Sequence, residues 1–271
     1  MLFGLSLPTL LIIGVVVFMP VLWLFFLSFL DRAGSPTTEN YARVLGSLYY
    51  ETYLVTFQIS LVVTLVCVVL GYPLAYWLSR LSPGVAGVLM IFVLLPFWTS
   101  VLVRTYAWLV LLQRRGVINQ LLQALGVIDA PLQLANNLTG SIIGMVHIML
   151  PFLVLPLYAA MRGIDGNLMR ASMSLGSSPA GAFWRVFVPM SLPGLFAGVV
   201  LVFVLSLGFY VTPALLGGGR VQMIAQRIEA TINLYTNWGA ASALGAVLLA
   251  AALGLVVLLH RVFGLDRLFV R

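Results

Sequence analysis

The sequence has no lysine, one cysteine and two histidines, and only 8% of its 271 residues are charged, against roughly a quarter in a soluble globular domain. Each shortage excludes something. Without lysine there is no G-x-x-x-x-G-K-[ST] loop to reach the β- and γ-phosphates of a nucleotide, and no Schiff-base nucleophile. With Cys67 alone there is neither an intrachain disulfide nor a cysteine metal cluster. With so little charge, and 62% hydrophobic residues at a mean hydropathy of +1.12, the chain cannot cover a soluble fold with polar surface, so the bilayer is its solvent. The remaining charge is lopsided, 14 arginines against 7 acids. These arginines stand mostly singly between apolar stretches and form no stripe, a pattern that orients a membrane chain and does not suit nucleic-acid binding.

A spanning helix needs about 20 residues with few or no charges. Six charge-free intervals meet this, 2–30, 52–79, 81–103, 130–161, 186–219 and 230–260. The expected spans lie near 5–29, 54–79, 85–111, 139–160, 193–213 and 239–260. The first apolar stretch lacks a basic leader and is too long for the core of a cleaved signal, so it reads as a retained helix. The interval 116–128 is too short to span, and its Ile118, Leu121, Leu122 and Leu125 form the stripe of an interfacial helix. Pro20, Pro73, Pro96, Pro151 and Pro156 fall inside the expected spans. Proline is tolerated in lipid where neighbours satisfy the freed carbonyls, and kinked helices suit a transport bundle better than an anchor. The expectation is an all-α membrane protein, a single domain over 1–271, with six spans and both termini on one side. The arginines divide seven and seven between the two sides, so the positive-inside rule gives no direction.

The longest polar segment on the terminus side, 162–191, reads as two short helices around a break. Leu168, Ala171 or Ser172, and Leu175 mark one face of the first, with Met169 and Met173 as a second apolar pair. Gly176 suits the left-handed position that ends a helix. Ser178 and Pro179 suit the cap and first turn of the next helix, which Pro189 is expected to close.

The stretch Arg170-Ala171-Ser172, then Gly176, then Val186 and Val188-Pro189 resembles the EAA motif of permease subunits of binding-protein-dependent ABC importers, at every spacing. Leu175-Gly176-Ser177-Ser178-Pro179 and Phe183-Trp184-Arg185-Val186 are similar to the same family. The runs Gly208-Phe209-Tyr210-Val211-Thr212-Pro213 and Asn237-Trp238-Gly239-Ala240-Ala241 resemble its spermidine/putrescine branch. One departure is plain: the motif's Glu is Arg170, and its second Ala is Ser172.

The resemblance implies a type I importer permease in the bacterial inner membrane, with both termini and the 162–191 loop cytoplasmic. It implies that the loop is a coupling helix docked on an ATPase subunit through Asp165, Leu168, Met169, Arg170, Ala171, Ser172, Met173, Gly176, Pro179, Val186 and Pro189. It further implies a second, similar permease, two ATPase subunits that hold the ATP and Mg, and a periplasmic binding protein. The chain itself would be no enzyme and bind no cofactor, and lipid would surround it. The solute would be a polyamine, or else a phosphonate, opine or iron complex; a non-transporting scaffold or sensor is the reading of a different class.

Proton-driven transporters keep carboxylates within their spans. Here Asp31, Glu39, Glu51, Asp129, Asp165, Glu229 and Asp266 all lie outside the expected ones, so an external energy source is expected. A straight helix from Val85 would carry Arg104 about 29 Å, to the outer face. Trp98, Tyr106 and Trp108 stand near it in sequence, and Tyr210, Thr212, Asn233, Tyr235 and Trp238 near other outer ends. They form either an interfacial belt or a polar and aromatic path for the solute. His147 is either a packing residue or a proton relay.

Overall fold

The computed structural model describes residues 2–263; Asp266, one of the acids placed outside the spans, and Arg267 and Arg271, which enter the orientation count, lie outside the described residues. Among the described residues the structure is helical, apart from turns and one isolated bridge between Leu30 and Pro36. The helices are α1 (Leu2–Leu27), α2 (Glu39–Val44), α3 (Ser47–Arg80), α4 (Pro83–Leu94), α5 (Val101–Leu111), α6 (Val117–Ala124), α7 (Leu138–Arg162) and α8 (Gly166–Ser174). They are followed by α9 (Pro179–Ala182), α10 (Val188–Leu207), α11 (Val211–Leu216), α12 (Ile224–Asn233) and α13 (Trp238–Phe263). A 3-10 turn (Leu95–Trp98) follows α4, and a π-helical turn (Phe183–Phe187) joins α9 to α10.

Four helical stretches are long and apolar enough to cross a bilayer: Tyr49–Arg80, Leu138–Arg162, Pro179–Leu207 and Trp238–Leu258. The 25 residues of α7 rise about 37 Å, more than the hydrocarbon thickness. A fifth candidate is the pair Pro83–Trp98 and Val101–Leu111, bent by 98°. The first expected span coincides with α1, whose described apolar part is Leu11–Leu27.

Three expectations are corrected. The span 85–111 is not straight: the 3-10 turn containing Pro96, then Thr99 and Ser100 in extended conformations, redirect the chain into α5. The projection of Arg104 to the far end of one helix therefore fails. Pro189 closes nothing, because Pro179–Leu207 is continuous; Pro189 follows directly on the π-helical turn, where Val188 N–H already bonds five residues back to Phe183 O and the regular ladder is interrupted. The span placed at 193–213 accordingly begins earlier and stops at Leu207, with Gly208–Tyr210 separating it from α11.

The chain divides into two compact units. One gathers the N-terminal segment through Leu54 with Met223–Leu255. Its core holds Val44, Ile224, Ala243 and Leu244. Asn40, buried, donates from Nδ2 to the carbonyls of Ser28 (3.0 Å) and Leu30 (2.8 Å), satisfying carbonyls that the end of α1 leaves open. A Cβ on Gly239 would strike the Leu30 carbonyl, so α13 approaches that turn with no side chain between them.

The other unit comprises Val55–Gln222 and, among the described residues, those from Val256 to Phe263. Its backbone is the packing of α7 on α10, where Gly194 and Gly198, four residues apart, face α7 directly. Small residues at this spacing let membrane helices approach closely, since lipid offers no hydrophobic drive to hold them together. Gly71 of α3 likewise meets Leu153 of α7. At the α7–α10 loop end of this packing, Ala75, Leu78, Val154, Leu157, Met161 and Phe187 form a buried cluster.

Candidate functional site

The loop between α7 and α10 follows the physical chemistry of its caps. Asp165 Oδ1 accepts the backbone N–H of Asn167 at 2.9 Å and starts α8. The helix ends in a Schellman motif. Gly176 N–H donates to Met173 O (3.0 Å), Ser177 N–H donates to Ser172 O (3.1 Å), and Gly176 holds φ +91°. Ser178 Oγ then accepts Gly181 N–H at 3.1 Å, with Pro179 in the first turn of α9. Both boundaries agree with the sequence reading of this break.

The two ends of the loop are tied to α3. Arg162 donates from Nη1 to the carbonyls of Ser79 (2.9 Å) and Leu81 (2.8 Å), open acceptors at the end of α3. At the other end, Tyr72 Oη and Ser191 Oγ lie 2.9 Å apart. Met169 packs against the buried cluster beside Phe187, while Leu168, Arg170, Ala171 and Met173 are exposed and Ser172 is half-buried. Val186 is half-buried within the π-helical turn, and Pro179 and Pro189 are exposed. The sequence reading missed the aromatic support: Tyr76 on α3 meets Phe183 and Phe187 edge-on at 5.2 and 5.1 Å, and those two rings stack at 5.7 Å. Arg80 lies over Tyr76 and Phe187, its Cζ 5.1 and 4.9 Å from their centres. Nothing in the local spacing of Tyr76 and Arg80 ties them to residues a hundred positions away.

The suggested solute-path residues do not form one cluster. In the larger unit, α5 carries Arg104 and Trp108 and packs against α7 and against α11, which carries Thr212. Trp108 Nε1 donates to His147 Nδ1 at 3.1 Å, so His147 is a bonded packing partner. Thr105 and Thr212 pair their hydroxyls at 3.1 Å in a fully buried contact. Arg104 Nε is buried with no partner. His147 stands nine residues into α7, about 14 Å from its start and near the middle of a bilayer's hydrocarbon. Trp98, Tyr106 and Tyr210 are exposed. In the smaller unit, Asn233 donates from Nδ2 to Glu229 Oε1 at 2.8 Å, and Tyr235 and Trp238 are exposed. Glu51 lies in the second turn of α3, earlier than the expected start of that span. Among the described residues no three His, Cys, Asp or Glu side chains gather as a metal site.

No family model matches the chain. It is 35% identical over 245 residues to the spermidine/putrescine transport system permease protein PotB of Haemophilus influenzae, covering 88% of this chain and 86% of that one. It is 35% identical over 252 residues to PotB of Escherichia coli K12, covering 90% of each. Among solved structures, a bacterial ABC transporter involved in import of the acidic polysaccharide alginate superposes with a TM-score of 0.75 at 16% identity, over 100% of this chain and 96% of that chain.

Proposed function

The chain belongs to the permease subunits of ABC importers, in the spermidine/putrescine branch, and from that premise we propose how it works. It is a multi-pass inner-membrane transport subunit and not an enzyme. In this reading it forms a pathway with a second, similar permease, receives a small solute from a periplasmic binding protein, and releases it to the cytoplasm by alternating access. Two ATPase subunits, which hold the ATP and Mg, drive the change. Both termini and the 162–191 loop face the cytoplasm.

The observation that carries the reading is the loop itself. Its helix α8 presents exposed Arg170, Ala171 and Met173 while Met169 anchors it to the bundle, and both of its ends are bonded to α3. Small residues permit close approach of a partner, the methionines adapt to it, and the tied ends convert its displacement into rigid motion of α7 and α10.

The solute is a polyamine in the first reading, which the named relatives support. No acid lies deep in a described span, and a polycation at that depth needs carboxylates or a dense aromatic site. High-affinity selection is therefore assigned to the binding protein, with a transient path past Tyr210, Thr212 and Asn233. The unpaired Nε of Arg104 favours a second reading, a solute that carries an anionic group, such as a phosphonate or opine. Proteoliposomes with the full complex, with and without the binding protein, decide the point. Substrate-selective, ATP-driven uptake is expected only with the binding protein; equal selective uptake without it overturns the assignment of selection.

A further inference from the structure

Beside α8 lies a cavity of about 710 Å³ whose lining includes Tyr76, Arg80, Met169, Arg170, Met173 and Phe183. Two of these six are cations lining an otherwise apolar and aromatic space. The only ion pair among the described residues is Arg43 with Glu39, elsewhere in the chain. The one acid in the loop, Asp165, spends its Oδ1 on the Asn167 amide. Arg162 is committed to two backbone carbonyls. Among the described residues, Arg80 and Arg170 therefore line the cavity with no carboxylate paired to them.

Arg80 is also held in place. Its guanidinium lies over Tyr76 and Phe187, which fixes the group by cation–π attraction and leaves N–H donors at its edge. The π-helical turn at Phe183–Phe187 stacks the two phenylalanines that back it; such turns recur where a helix must re-aim side chains at a site. Arg170, exposed on α8, lines the same space. Planar guanidinium forks match a carboxylate in bidentate geometry, and the flanking methionines suit the apolar stem of a protein side chain better than they suit a free ion.

We propose that this cavity is a socket for an acidic side chain of the ATPase subunit, gripped between Arg80 and Arg170. The proposal rests on the coupling-loop reading above and adds the polarity of the contact: cation on the permease, anion on the ATPase.

The test uses the assembled importer, purified through a tag on this chain and placed in phosphatidylcholine nanodiscs, with retained ATPase subunit and solute-stimulated hydrolysis as readouts. Retention by the wild type is expected to fall as salt rises. Arg170→Ala should lower retention about threefold to tenfold and Arg170→Glu by more than about tenfold, because a like charge is then presented to the partner. Arg80→Ala should act in the same direction, and a Glu→Arg or Asp→Arg change on the ATPase face should restore Arg170→Glu. Arg170 is exposed, so an unchanged thermal midpoint identifies a docking defect rather than misfolding; Arg170→Gln, with no charge, serves if the Glu variant unfolds. Retention of the ATPase subunit by Arg170→Glu at or above the wild-type level overturns the proposal. A defect that vanishes in phosphatidylcholine and appears only with phosphatidylglycerol also overturns it, assigning the arginines to lipid headgroups. If Gly176→Val abolishes solute-stimulated hydrolysis while the arginine variants keep both the ATPase subunit and the stimulation, the coupling reading stands and the acidic socket falls. If Gly176→Val leaves solute-stimulated hydrolysis unchanged and the arginine variants leave retention unchanged, both fall.

Discussion

Gly194→Ala is the sharpest probe of the helix pair that carries the loop. A Cβ at Gly194 would meet the Ala160 methyl group, lie 2.8 Å from the Pro156 carbonyl oxygen and 3.2 Å from Leu157 Cα. Unstrained carbon contacts sit at about 3.5–4.0 Å, so α7 and α10 must separate or the backbone must shift. Two of the three obstacles are backbone atoms, which cannot rotate away. Overpacking of this kind costs about 1–3 kcal/mol, and the upper half of that range is expected here. Deleting the Ala160 methyl group in Gly194→Ala/Ala160→Gly removes one obstacle and leaves the Pro156 oxygen. The double variant should therefore recover about 1 kcal/mol relative to the sum of the single ones, as a coupling energy between contacting residues.

Cys67 supplies the assay. It is the one cysteine in the sequence, fully buried, with Sγ 3.8 Å from the Val146 carbonyl of α7. Thermal unfolding in detergent, followed by its reaction with a fluorogenic maleimide, reports the opening of α3 from α7. A lower midpoint is expected for Gly194→Ala and a partial return for the double variant, with Ala160→Gly alone as the control for the helix cost of glycine. Wild-type unfolding by Gly194→Ala, or simple additivity in the double variant, would refute the close-contact argument.

The other tests are simpler. At Gly176 the surroundings are open and only φ is demanding, so Gly176→Asn should be nearly neutral in uptake. Gly176→Val should strain the cap by about 1–2 kcal/mol and impair uptake more than assembly; an equal defect in both variants would point to steric conflict instead. Asn40→Ala strands the Ser28 and Leu30 carbonyls and should lower stability by about 1–3 kcal/mol, read by circular dichroism on heating. Trp108→Phe leaves His147 Nδ1 without its donor at a cost of about 1 kcal/mol, visible in the same thiol assay. The purified chain should hydrolyse no ATP, since it has no lysine and hence no phosphate loop; robust turnover by a contaminant-free preparation would contradict that.

Wherever the governing rule is local, the sequence by itself was enough. Bilayer residence follows from the scarcity of charge, and each long helix is built around a charge-free interval, with Glu51, Arg80, Arg162 and Arg185 only toward the helix ends, because a charge within hydrocarbon is costly wherever the helix packs. The break in the 162–191 loop was legible for the same reason. Gly176 and the Ser178–Pro179 pair act through backbone geometry within four residues of themselves. The prolines mark the limit of that legibility. Pro73, Pro151, Pro156 and Pro193 sit inside continuous helices, whereas Pro96 belongs to a turn that bends the chain by 98°. The residue type is the same each time; the outcome depends on whether neighbouring groups satisfy the carbonyl it frees, which only the packed bundle decides. The same holds for the pairing of Trp108 with His147, and for the placement of Arg80 over Tyr76 and Phe187. Tyr76 lies only four residues before Arg80 on the same helix, but Trp108 and His147 are 39 positions apart and Arg80 and Phe187 are 107 apart, and no periodicity within one helix encodes which distant face it will meet.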